Sequence, residues 1–76
     1  MEPEDRLAQR YLNELVLDFF NIIAIPHLNV WGEYYRRFIP MIKRFHPQLS
    51  SPNFSPNLKD NIQFIKQQLR DKGFPI

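Results

Sequence analysis

At 76 residues, with 43% hydrophobic and 24% charged side chains, no cysteine and a net charge of +2, the chain has room for one small domain, 1-76, and no disulfide to brace it. Below roughly 70 to 80 residues a single apolar core contributes no more than about 3 to 5 kcal/mol, so such a fold is marginal alone and gains most from a partner. Gly32 and Gly73 build no phosphate loop, no cysteine nucleophile exists, and His27 and His46 share no metal-ligand spacing with Glu14 or Asp18, so neither catalysis nor any metal or other cofactor is expected.

The start, Met1-Glu2-Pro3-Glu4-Asp5, is acidic and lacks the character of a secretory or mitochondrial leader. From there to Ile25 the pattern predicts a helix over about residues 4–25. Glu4 and Asp5 complement the positive end of its dipole, and Leu7, Tyr11, Leu15, Phe19 and Ile22 recur at helical spacing. Its last two turns are apolar nearly all round, which predicts burial on more than one side. The apolar run Leu15 to Ile25 is about half of the roughly 20 residues a bilayer crossing needs, so no transmembrane segment is expected. Absence of cysteine fits an intracellular, reducing compartment, cytoplasmic or organellar.

Pro26 stops the first helix, and Asn29 reads as the N-cap of a second over residues 29–46. Trp31, Tyr34, Tyr35, Phe38, Ile42 and Phe45 share one stripe that stays in phase across Pro40. The expectation is a helix kinked at Pro40, or two abutting helices with Pro40 opening the second, and Pro47 ending the run. Residues 47–57, PQLSSPNFSPN, read as a linker pinned to the body by Phe54. Ser51-Pro52 and Ser55-Pro56 suit proline-directed kinases, although turn formation and capping account for both. A third helix over 56–72 has Ser55 as cap, Pro56 in its first turn, the stripe Leu58, Ile62, Ile65 and Leu69, and a stop at Gly73-Phe74-Pro75. The fold class is therefore all-α: three helices in a small bundle.

Charge is segregated along this frame. Residues 1–35 carry Glu2, Glu4, Asp5, Glu14, Asp18 and Glu33 against Arg6 and Arg10, a balance of −4, whereas residues 36–76 balance to +6. No acid occurs between Glu33 and Asp60, and inside that interval RRFIPMIKRFH sets Arg36, Arg37, Lys43 and Arg44 among apolar side chains. A merely solvated face mixes both signs. Seven Phe, three Tyr and one Trp also exceed what three short helices are expected to shelter.

Together these features point to a non-catalytic protein-protein interaction module, a small accessory subunit or adaptor within a larger assembly, with self-association among the candidates. Trp31, Tyr35, Arg36, Arg37, Lys43 and Arg44 are the expected partner-binding residues, because Trp, Tyr and Arg dominate interface energetics. The alternative is nucleic-acid binding through residues 36–44 and the cations of the third helix. Attachment of the basic helix to an anionic membrane surface ranks third.

Overall fold

The computed structural model describes residues 3–76, so Met1 and Glu2 of the acidic start lie outside the described residues. Among these residues the chain is all-α: α1 (Pro3–Ile22), α2 (Leu28–Arg44), the short α3 (His46–Leu49) and α4 (Pro56–Asp71). The three long helices are those expected from the sequence, in a body measuring 39 × 20 × 19 Å. α1 packs closely against both α2 and α4, while α2 and α4 meet each other sparsely. That leaves one side of the triangle open.

The boundaries differ from the expectation in instructive ways. α1 stops at Ile22, and a turn closed by the Ile25 N–H on the Ile22 carbonyl follows, so the helix ends a turn ahead of Pro26. This fits the restriction that a proline places on its predecessor, which disfavours helical geometry at Ile25. Asn29 is not the N-cap of α2. His27 holds that position with extended backbone, and Asn29 sits inside the first turn, where its Oδ1 accepts from the Val30 amide. α2 then runs through Pro40 without interruption and breaks at Phe45, so Pro40 does not open a second helix. Part of the expected linker is helical: Pro47 lies in the first turn of α3, where its missing N–H costs nothing, instead of ending a run. Phe54 does pin the remaining loop, with its ring in the core.

α4 matches its reading closely. The Leu58 amide donates to Ser55 Oγ at 3.3 Å, and at the other end the Gly73 amide bonds the Arg70 carbonyl while the Phe74 amide bonds the Leu69 carbonyl, both at 3.0 Å. This double closure requires a left-handed residue, and Gly73 supplies it at φ 97°. The chain then folds back, so that Phe74 stacks on Tyr35 with centroids 5.0 Å apart.

One continuous core fills the interior. α1 contributes Ala8, Leu12, Leu15, Val16 and Phe19; α2 contributes Trp31, Tyr34 and Phe38; Phe45 and Phe54 enter from the connections, and Leu58, Ile62, Ile65 and Leu69 from α4. Phe19 is its aromatic hub, with ring centroids 5.4 Å from Trp31 and 5.5 Å from Tyr34. Two buried donors tie the helices together. The Tyr34 hydroxyl donates to the Leu15 carbonyl at 2.6 Å, and the Trp31 indole N–H donates to the Ile25 carbonyl at 2.7 Å, closing the corner between α1 and α2.

The apolar end of α1 is covered from two sides, by α2 and α4, which bury Leu15, Val16 and Phe19, but it is not enclosed all round. With only two neighbouring helices there is no third wall, and Leu17 and Phe20 face solvent, 65% and 48% exposed.

Candidate functional site

The cations of the basic segment are divided by helical geometry. A step of 100° per residue sends Arg37 and Arg44, two turns apart, to the α1 flank of α2, and Arg36 and Lys43, also two turns apart, away from α1, with Lys43 bordering the side toward α4. Arg37 Nη2 donates to Asp18 Oδ2 at 2.5 Å and its guanidinium lies 5.8 Å from the Tyr34 ring centroid. Arg44 is spread over Tyr11 and Phe45, at 5.9 and 4.9 Å from the ring centroids. Both arginines therefore have partners within the fold. Arg36 and Lys43 are exposed and form no ion pair among the described residues.

The expected aromatic anchors fare differently from the cations. Trp31 is 1% exposed and belongs to the core and the α1–α2 corner, so it offers no surface to a partner. Its burial follows from its stripe, which faces Phe19. Lys72 reaches across its ring at 4.9 Å from the centroid, adding a cation contact at the same corner. Tyr35 stands at the boundary, covered on one face by Phe74, and its hydroxyl donates to the Pro75 carbonyl. The six expected residues thus do not form one patch.

Two grooves flank α2. Between α1 and α2 a hollow of about 360 Å³ is lined by Glu14, Asp18, Arg37 and Arg44 around Leu15 and Met41. Its acids and arginines balance each other, so it presents little net charge. Between α2 and α4, Tyr35, Ile39 and Ile42 floor a second hollow of about 350 Å³ with Lys43 and Lys66 among its walls.

A third surface was not singled out by the sequence reading. Phe20 of α1 and Phe64 of α4 stack on each other in solvent, with centroids 6.3 Å apart and planes at 20°, and Leu17 lies one turn away on α1. Phe64 is 41% exposed. Its neighbours one turn away on α4 are Asp60, Asn61, Gln67 and Gln68, and those of Phe20 are Val16 and Leu17 on α1 and Ile23 and Ala24 in the turn that follows. None of these one-turn neighbours is a cation, and Lys66, two residues from Phe64, points to the opposite flank of α4. The excess of rings is thus separate from the positive charge, against the expectation that the basic segment marks it. The signal available in the sequence was Phe64 itself, a large ring off the narrow apolar stripe of α4.

Among the described residues no cluster of three or more His, Asp or Glu side chains could hold a metal, and no helix is long and apolar enough to cross a membrane. The ionisation of Tyr34 is displaced. Burial pushes its phenol well above the ordinary range, Arg37 pulling it back in part and Asp18 adding to the rise. No family model matches the chain, and no curated protein and no solved structure matches it either.

Proposed function

We propose that this chain is a non-catalytic protein-interaction module, a small accessory subunit or adaptor, and that Leu17, Phe20 and Phe64 form its principal contact. The observation that carries the reading is the pair of stacked phenylalanine rings held in solvent. Fully burying a Phe, Leu or Ile side chain is worth roughly 1.5 to 3 kcal/mol, so half-exposed rings leave much of that gain for an association to collect. Rings already stacked also lose little freedom on docking.

The lack of cations among the one-turn neighbours of these rings selects among partners. Nucleic acid needs aromatic faces beside cations, yet the rings next to the basic segment are buried or covered, and the open rings lack cations. An anionic membrane surface calls for Lys and Arg flanking the apolar face, which this patch also lacks. An apolar, uncharged protein surface meets neither objection.

The test is site-specific photo-crosslinking in source cells, with a photoreactive phenylalanine in place of Phe64 and, as control, in place of Asn53 on the connecting loop. A discrete adduct at the first position, absent at the second and lost on adding Phe20→Ser, is the expected result. Identical adducts at both positions, or none at the first, would sink the proposal.

A further inference from the structure

We infer that the open seam between α2 and α4 is a second docking groove, and that its occupant is an acidic peptide segment carrying apolar side chains. The inference rests on the reading of this chain as a docking module and names the chemistry of one partner.

The seam exists because α2 and α4 each pack closely on α1 and only sparsely on each other. Its floor is apolar, built from Tyr35, Ile39 and Ile42, and its upper end is closed where the chain folds back through Pro75. Ile42 and Lys66 belong also to an adjoining hollow of about 180 Å³, bounded by His46, Leu49 and Lys59, so the two hollows meet at these side chains. Between Tyr35 and Ile42 alone the groove follows α2 for about two turns, roughly 10 Å at 1.5 Å per residue.

Charge decides the occupant. Three lysines, Lys43, Lys59 and Lys66, line the two hollows, and no Asp or Glu does. Lys43 and Lys66 form no ion pair among the described residues, while Lys59 Nζ donates to the Ser51 carbonyl. The groove on the other flank of α2 differs in kind, since Glu14 and Asp18 answer its arginines. Carboxylates on a bound segment would meet the lysine rim while Leu, Ile or Phe side chains fill the floor, the arrangement of a helix or strand laid in a groove. A bare phosphate chain would satisfy the rim and leave the floor wet, and of the two rings that line the hollow Tyr35 is stacked on Phe74 and Phe38 is fully buried, which removes the faces that a base would use. Lys66 and Phe64 are two residues apart on α4 and so point to nearly opposite flanks, which keeps this groove separate from the phenylalanine patch.

The experiment selects a random peptide library displayed on phage against three immobilised forms: the wild-type chain, Lys43→Glu with Lys66→Glu, and Phe20→Ser with Phe64→Ser. The changed side chains are at the surface or rim, and circular dichroism confirms that each form is folded. Expected is enrichment of peptides combining Asp or Glu with large apolar residues. Their synthetic versions should bind at least roughly tenfold more weakly to the lysine variant and equally well to the phenylalanine variant, with affinity falling as salt rises. Peptides without acids, or no enrichment on the wild-type chain, overturn the inference. Enrichment that survives the lysine changes and disappears with the phenylalanine changes overturns the groove and leaves the docking-module reading standing. A single-stranded oligonucleotide that binds the wild-type chain more tightly than the selected peptides, and loses binding with the lysine changes, also overturns it, in favour of nucleic acid.

Discussion

Tyr34 carries two jobs on one side chain. Its ring packs beside Phe19 and Phe38, and its hydroxyl reaches across the helix interface to the Leu15 carbonyl at 2.6 Å. Tyr34→Phe keeps the packing and removes the bond, so it should lower stability by about 1 kcal/mol at neutral pH, read from urea midpoints. A second signature separates the bond from generic loss. Because burial raises this phenol above its ordinary value of 10.0, the unfolded chain releases a proton there that the folded chain retains. Stability contributed by the neutral phenol is therefore complete below that pH and declines as pH rises through and beyond it. Urea midpoints followed upward from neutral pH should fall for the wild-type chain, and the fall should be shallower in Tyr34→Phe. Parallel declines would mean that some other group governs alkaline unfolding. The Asp18–Arg37 pair nearby is a weaker target, since both side chains are about half exposed and such pairs are worth at most about 1 kcal/mol.

Among the elements, α4 was the most legible, because every local cue agreed: cap, first-turn proline, stripe and glycine stop. Gly73→Ala tests the last of these. Alanine at φ 97° meets the left-handed penalty of about 1 to 2 kcal/mol, although nothing crowds a Cβ there, and should lower the melting temperature accordingly. An unchanged melting temperature would show that the closure of α4 adds nothing. α2 was harder to read. Its stripe was correct, yet its cap fell on His27 instead of Asn29, because an asparagine within the first turn can satisfy a neighbouring amide without capping. Pro40 was the harder feature still. Its ring removes the amide that would bond the Arg36 carbonyl, a defect worth up to about 3 kcal/mol within a helix, but the stripe continues to Phe45 and the packing of Phe38 and Phe45 holds the helix through it. Pro40→Ala should therefore raise stability by about 1 to 2 kcal/mol, the gain being trimmed by the greater freedom of the unfolded chain. A loss of stability instead would mean that the backbone at Pro40 departs from helical geometry in a way alanine cannot adopt.

For the molecule as a whole, the count of rings was informative and their location was not. Helical periodicity says which residues share a face, but whether that face is covered depends on how many neighbours the helix has. α1 lies between two helices, so one side of its apolar end is walled and the other is open. The consequence is a pair of adjacent phenylalanines with opposite roles. Phe19 is fully buried and touches rings from α2 and α4, whereas Phe20 contributes chiefly to the exposed patch. Large core truncations of this kind cost about 3 to 5 kcal/mol, which equals the whole stability expected of a core this small. Phe19→Ala should accordingly lose its helical far-UV circular dichroism signal and its cooperative thermal transition at room temperature. Phe20→Ala should keep both, with a loss no greater than about 1 kcal/mol from the weakened stack on Phe64. Should the two variants melt alike, the core would not depend on α1 as its central element, and the open end of that helix would no longer explain why rings are left in solvent.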